Sequence, residues 1–331
     1  MKRIAITLGD CNGVGPEIAL RAASACASEL NTRFVLIGSS AITDKVAQDL
    51  NISPPPVIAS PGAPTDAPLV VFDPDPGTAP ALAPGTITAE ASQHAVRWIE
   101  EAVRGCMEKT YDAMVTAPIC KEGLLDAGFS MPGHTEYLAE LTGTERFAMM
   151  LLGGPLRVVL ATRHVPLRNV AAALSPETIR EAIEITAEAL PWLGLEKGLI
   201  GVAGLNPHAG DGGAIGTEEL EMIAPVINEA IERGLPVEGP VPPDVLFHKA
   251  FHGRYAAVVA MYHDQGLGPL KMIAFDKGVN LTLGLPIVRT SPDHGTAFDI
   301  AGKYKADPSS MVEAVHLAAG LSGRPNPWKD A

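Results

Sequence analysis

Apolar residues along this chain fall into short unbroken runs, separated by longer stretches in which they recur every three or four positions. The runs at 4–8, 34–37, 69–72, 113–116, 158–161, 199–203 and 257–261 predict strands. Their continuous rather than alternating apolar character predicts strands buried on both faces of a sheet. Helical spacing fills the intervals. Ala91, Ala95, Trp98, Ile99, Ala102 and Val103 share one face of a helix. Ser175 followed by Pro176 reads as an N-cap and a proline at the first helical position, with Ile179, Ala182, Ile183, Thr186 and Leu190 along one side. Thr217 is expected to cap a further helix that Gly234 ends and that Pro225 kinks or splits. Strands alternating with helices from end to end predict an α/β fold.

The segment 51–85 breaks the rhythm. It carries ten of the 29 prolines, too many for helices or central strands, and reads as an excursion on the sheet edge with one strand, 69–72, embedded. A length of 331 residues allows two domains. Aromatics are only 5% of the chain, so small aliphatic side chains must fill the core. The net charge of -13 argues against nucleic-acid binding but leaves room for a local cationic pocket. Cys11, Cys26, Cys106 and Cys120 show no C-x-x-C spacing, which suggests reduced thiols and a cytoplasmic location. No apolar run is long enough to span a membrane, and no signal peptide is expected.

The candidate chemistry lies at the ends of the apolar runs. His164 follows the run 156–162, His208 follows 199–204, and His263 follows 256–262. Open α/β sheets bind ligands outside the carboxyl ends of their strands, so three imidazoles delivered there can converge on one divalent ion. Imidazole suits Zn, Co, Mn and Fe better than Mg, and three protein ligands with open positions describe a catalytic site. Any one of these histidines alone reads first as a satisfied polar residue at a strand end, and it is the three in the same topological position that point to a metal. The absence of H-E-x-x-H excludes the common zinc-peptidase motif. His208 lies in a glycine-rich segment, with glycines at 210, 212, 213 and 216, that leads into a helix and could bring backbone close to an anion. The loop after the first strand, with glycines at 9, 13 and 15, fits neither the G-x-G-x-x-G nor the P-loop spacing. Lys271, Lys277, Asn280, Arg289, Thr290 and His294 form a local cationic concentration suited to phosphate. Asp244 and Asp264 are candidates to ligate, to orient a histidine or to carry protons.

Read together, several blocks resemble the 4-hydroxythreonine-4-phosphate dehydrogenase family of vitamin B6 biosynthesis. They are Val115-Thr-Ala-Pro-Ile-Cys-Lys121, Gly133-His-Thr-Glu136, Gly204-Leu-Asn-Pro-His-Ala-Gly210, Ala260-Met-Tyr-His-Asp-Gln-Gly266, Gly278-Val-Asn-Leu-Thr-Leu-Gly-Leu-Pro286 and Arg289-Thr-Ser-Pro-Asp-His-Gly-Thr296. The resemblance runs almost end to end. It implies a two-domain isocitrate/isopropylmalate dehydrogenase-like α/β fold with an interdomain active-site cleft. The first domain is expected to be discontinuous, 1–130 plus 276–331. The second, 131–275, is expected to carry dimerisation and the metal site.

The resemblance further implies a homodimer whose active site is shared between subunits. His164, His208 and His263 would bind a divalent metal (Zn, Co, Mn or Mg). His134, Thr135, Lys271, Asn280 and Arg289 would contact the phosphorylated substrate, and NAD or NADP would be the oxidant. The implied reaction oxidises and decarboxylates 4-phosphooxy-L-threonine to 3-amino-2-oxopropyl phosphate, with Asp244, Asp264 and Lys121 as candidates for proton transfer or ligand orientation. Relatives with the same histidines act on 4-phospho-D-erythronate or 4-phospho-D-threonate, which makes a phosphorylated sugar acid the nearest rival substrate. A metal-dependent phosphatase or aldolase, or a non-catalytic phospho-ligand sensor, ranks behind. Cys11 and Asn12 depart from the family's usual proline and small residue in the first loop.

Overall fold

The structure, a computed structural model, describes residues 1–130 and 133–329. Its strands are β1 (Lys2–Thr7), β2 (Thr32–Ile37), β3 (Val57–Ile58), β4 (Leu69–Phe72), β5 (Ala113–Thr116), β6 (Ala148–Gly153), β7 (Leu156–Leu160), β8 (Ile200–Ala203), β9 (Val237–Val241), β10 (Ala257–Ala260), β11 (Val279–Leu283) and β12 (Arg289–Pro292). All seven apolar runs form strands. The chain divides into two compact units, Met1–Glu145 with Leu285–Ala331, and Arg146–Gly284. The sequence places the divisions at 130/131 and 275/276. They fall later because helix His134–Thr142 packs on helix Ala89–Met107 of the first unit, while β11 pairs with β6 of the second.

In the first unit the strand order is β3-β4-β2-β1-β5-β12, and every neighbouring pair is parallel. β3 and β4 both come from the proline-rich excursion, so it adds two strands rather than one and lies at the sheet edge, where missing N–H donors cost least. The connection from β4 to β5 passes β2 and β1, which puts the reversal of winding between β1 and β5. The loops after these two strands meet there, Asp10 N donating to Pro118 O at 2.9 Å. Gly9 sits at φ +67°, and a Cβ on it would lie 2.4 Å from Pro118 O, so only glycine allows this approach.

The departure at Asn12 has a structural counterpart. Its Nδ2 donates to Thr88 Oγ1 at 3.1 Å, its Oδ1 accepts from Ala83 N at 2.8 Å, and its carbonyl accepts from Gly85 N at 2.8 Å. One buried amide thus ties the end of the proline-rich excursion to the first loop. Beside it, burial pushes the Cys11 thiol up to about 12, with the Asp10 carboxylate adding to the effect. All four cysteines are free and buried.

In the second unit the order is β11-β6-β7-β10-β8-β9. β6 is antiparallel to both β11 and β7, and β7, β10, β8 and β9 run parallel. Leu156, Val158, Leu160, Leu246, Phe247, Val258, Leu267 and Leu270 belong to one buried cluster that joins this sheet to its helices. Ser175 caps helix Pro176–Trp192 in a reciprocal capping box with Thr178. Pro225 splits the next helix into a widened turn, Glu219–Ile223, and a helix, Ala224–Glu232. Thr217 does not cap it. The position before the turn is Glu218, already in right-handed helical backbone and with no side-chain cap bond, and Thr217 takes part through its carbonyl, which accepts from Glu221 N at 2.9 Å. Among the described residues no helix is long and apolar enough to cross a membrane.

Candidate active site

β7, β10 and β8 are consecutive neighbours and parallel, so their carboxyl ends open side by side at about 4.8 Å per strand. Each end carries one of the three histidines. His164 lies four residues past Leu160, His263 opens helix His263–Ala274, and His208 lies in the loop after β8. The His164 and His263 rings are neighbours, with centroids 5.6 Å apart at 42°. His263 Nδ1 lies 2.6 Å from Asp264 Oδ1. A carboxylate there fixes the ring orientation and directs Nε2 outward as the free donor. Gln265, buried one residue further on, accepts from Met261 N and donates to Gly204 O, both at 2.7 Å, which locks the end of β10 to that of β8. Together with Arg163, Val165 and Tyr262, the paired histidines and Asp264 line a cavity of about 340 Å³.

His208 stands in an unusual backbone. His208, Ala209, Gly210, Asp211 and Gly212 all have φ between 44° and 81°. For a non-glycine residue the left-handed region costs about 1–2 kcal/mol, and three of these five are not glycine. His208 borders a second cavity of about 940 Å³, whose wall includes Asp244, Phe247, Phe251, Asp264 and Met272. Asp264 therefore faces both cavities. Among the described residues no three His, Cys, Asp or Glu side chains are gathered around one point in the manner of a metal site. A single chain thus pairs His164 with His263, backs the pair with Asp264, and leaves His208 exposed beside Asp244. Two imidazoles supported by a carboxylate suit a divalent ion such as Zn, Co or Mn, and a third donor from outside the pair would complete it.

The first unit gathers a different set. Helix His134–Thr142 begins at Gly133 and places His134 and Thr135 in its first turn. Arg289 is buried at the start of β12, and its guanidinium donates to Thr116 Oγ1 through Nε at 3.2 Å and Nη2 at 2.6 Å. Burial pulls the Arg289 pKa from 12.5 down to about 9, and the nearby Glu136 carboxylate offsets only part of that. Burial also holds His134 well below the usual histidine value, and the positive charges of Arg289 and Lys121 add to the effect. His134 is therefore neutral at pH 7. Its Nε2 is buried and has no hydrogen-bond partner among the described residues. A buried cation, a second cation at Lys121 and an orphan ring nitrogen form the environment an anion would satisfy.

Lys271, Lys277 and Asn280 belong to the second unit, and Thr290 and His294 to the first. Lys271 is on helix His263–Ala274 with its Nζ 5.7 Å from the Phe275 ring, and Asn280 is on β11 with a buried Oδ1 that has no partner among the described residues. Reading the sequence missed the supporting residues. Thr116 holds Arg289, Gln265 joins two histidine-bearing strand ends, and Glu219 is buried beneath the His208 loop. None carries a signal in sequence beyond its neighbourhood. A polar residue inside an apolar run, as at Thr116, and paired glutamates after a glycine run, as at Glu218 and Glu219, are the clues that were there.

Comparison with known proteins bears on this arrangement. The family model "Pyridoxal phosphate biosynthetic protein PdxA" matches residues 29–318. A 4-hydroxythreonine-4-phosphate dehydrogenase from Chromobacterium violaceum is 43% identical over 97% of both chains. A Bradyrhizobium diazoefficiens protein named "Putative D-threonate 4-phosphate dehydrogenase" is 42% identical over 97% of this chain and 98% of its own. The crystal structure of 4-hydroxythreonine-4-phosphate dehydrogenase from Klebsiella pneumoniae superposes with a TM-score of 0.86 at 39% identity, covering 97% of this chain and 100% of that one. A β-decarboxylating dehydrogenase from Thermococcus kodakarensis shares the fold, with a TM-score of 0.52 at 16% identity over 97% of this chain and 84% of its own.

Proposed function

The chain belongs to the family of the pyridoxal phosphate biosynthetic protein PdxA, and from that premise we propose that it oxidises and decarboxylates 4-phosphooxy-L-threonine to 3-amino-2-oxopropyl phosphate. It is an oxidoreductase that depends on a nicotinamide cofactor, NAD or NADP. The observation that carries the substrate reading is the buried Arg289 beside the orphan Nε2 of neutral His134. This environment is incomplete without an anion.

The residues divide the work. Arg289, Lys121, His134 and Thr135, all of the first unit, are proposed to bind the phosphorylated substrate; Lys271 and Asn280, of the second unit, are the other substrate contacts that the family resemblance implies. Remote binding energy at the phosphate fixes the position of the reacting carbon. A bound nicotinamide supplies a hydride acceptor, and a divalent cation held by His164, His263 and His208 supplies a Lewis acid for the alcohol and keto oxygens. Asp264 holds the His263 ring in its donor orientation. Asp244 and Asp264, on the same cavity wall, are proposed to take the proton released from the alcohol, and Lys121 is a further candidate for proton transfer.

His208 in one chain stands apart from the His164–His263 pair. The reading that reconciles this with three ligands is a homodimer in which His208 of one protomer completes the pair of the other. The rim of the larger cavity supports a second copy as the occupant. Phe251 is 44% exposed and Met272 83%, with Phe275 beyond it, an apolar surface that a solvated monomer rarely presents. A cytoplasmic location accords with the four free thiols.

The direct test is NADH formation with purified, metal-loaded protein offered 4-phosphooxy-L-threonine and 4-phospho-D-erythronate in parallel, with His208→Ala as control. Turnover of the amino acid that is lost in the control is the expected result. Preference for the erythronate would keep the site and move the substrate to the sugar acids, as the D-threonate-named relative suggests. Neither reacting would sink the assignment.

A further inference from the structure

We propose that Glu219 is the positioning residue for His208, holding the glycine-rich loop in the left-handed form that presents the imidazole; this rests on the reading of His208 as a metal ligand. Glu219 is 2% exposed, and its carboxylate is directed at the loop's entry. Oε1 accepts from Leu205 N at 2.8 Å and from Asn206 N at 2.7 Å, and Oε2 accepts from Asn206 Nδ2 at 2.9 Å. Glu218 Oε2 takes the same amide nitrogen at 2.7 Å. The carboxylate is also packed against the loop. A Cβ on Gly204 would lie 3.1 Å from Oε1, and one on Gly210 would lie 2.7 Å from Oε2. One buried side chain therefore grips the loop before His208, at residues 204–206, and after it, at Gly210.

The need for such a grip follows from the backbone. His208, Ala209 and Asp211 are L-residues in a region they avoid, so the loop alone would spread into right-handed and extended forms. Each departure takes the imidazole away from the other two ligands. Apparent affinity then falls in proportion to the fraction of molecules whose loop is in the presenting form. Outer-shell partners of metal ligands typically control affinity by 10–100-fold, about the size of effect expected here.

The test is calorimetric titration of the apo full-length protein with Co²⁺, using Glu219→Ala, Glu219→Gln, Gly210→Ala and His208→Ala. Amide hydrogen exchange at Leu205 and Asn206, and the unfolding temperature, are read on the same samples. Glu219→Ala should bind Co²⁺ about 10–100-fold more weakly, with faster exchange at both amides. Glu219→Gln should sit nearer the parent, since its amide oxygen can still accept from the two backbone N–H groups. Gly210→Ala, which drives a methyl group against Oε2, should also weaken binding, and it carries the test if Glu219→Ala does not fold. Faster exchange in Glu219→Ala with parental Co²⁺ affinity would overturn the positioning role while leaving His208 as a ligand. Parental affinity in His208→Ala would overturn the metal reading and the proposal with it.

Discussion

Replacing Arg289 by methionine should leave the protein folded at nearly its parental stability and unable to bind phosphate. The fall of the Arg289 pKa from 12.5 to about 9 corresponds to about 5 kcal/mol set against the charged form, at 1.36 kcal/mol per pH unit. With its pKa still above 7, the guanidinium stays charged and the folded protein carries that cost. Against it stand the charged hydrogen bonds of the guanidinium, those to Thr116 among them, worth about 1.5–3 kcal/mol each and lost in the variant. Methionine fills a similar volume with an adaptable apolar chain. The two Thr116 bonds alone return about 3–6 kcal/mol, so cost and gain nearly cancel and the ligand-free variant should melt within a few degrees of the parent. The assay is thermal unfolding with and without inorganic phosphate. At ten times its dissociation constant phosphate should add about 1.4 kcal/mol to the parent and nothing to Arg289→Met. A variant that unfolds far below the parent, or that phosphate still stabilises, would refute the view of Arg289 as a buried cation kept for an anion.

Other consequences concern the two histidine environments. His134 stays neutral when folded, whereas the unfolded chain takes up a proton below its ordinary pKa of 6.5. Its contribution is thus constant above pH 6.5 and destabilises progressively below, by about 1.4 kcal/mol per unit. Denaturant titrations between pH 6.5 and 5 should show His134→Gln losing less stability than the parent, by at most about 1.4 kcal/mol per pH unit, and parallel pH profiles would contradict a buried neutral His134. Asp264→Asn should weaken divalent-metal affinity roughly 10–100-fold by loosening the His263 ring while leaving the fold intact, and unchanged metal content and turnover would remove Asp264 from the site.

The sequence is most legible where burial and apolar character coincide. The seven aliphatic runs are the strands between which helices pack, and Ser175 and Pro225 mark a cap and a break from local chemistry alone. Five strands went unread. β6 runs directly through a two-residue turn into β7 and pairs antiparallel on both sides, so it lacks the spacing of a strand–helix–strand unit. β9 carries Gly239 and Pro240, residues that usually argue against a strand. β12 is buried along its whole length although it reads Arg-Thr-Ser-Pro, because it pairs with β5 and helix Ser309–Leu321 packs over it. The same logic governs the site. Histidines at strand ends can be found from topology. The carboxylates and amides that support them, Glu219 and Gln265, act across 14 and 61 residues of sequence, through contacts that only folding creates.

The central claim is a dehydrogenase site completed by a histidine from a second copy, and complementation tests it most directly. His208→Ala and His263→Ala chains with different affinity tags would be co-expressed, the heterodimer purified, and NADH formation from 4-phosphooxy-L-threonine measured beside both homodimers. If His208 crosses between protomers, the heterodimer holds one intact and one doubly defective site and should recover about half the parental rate, while each homodimer is inactive. A heterodimer as inactive as its parents would contradict the account, since ligands drawn from a single chain leave every site in the mixture broken.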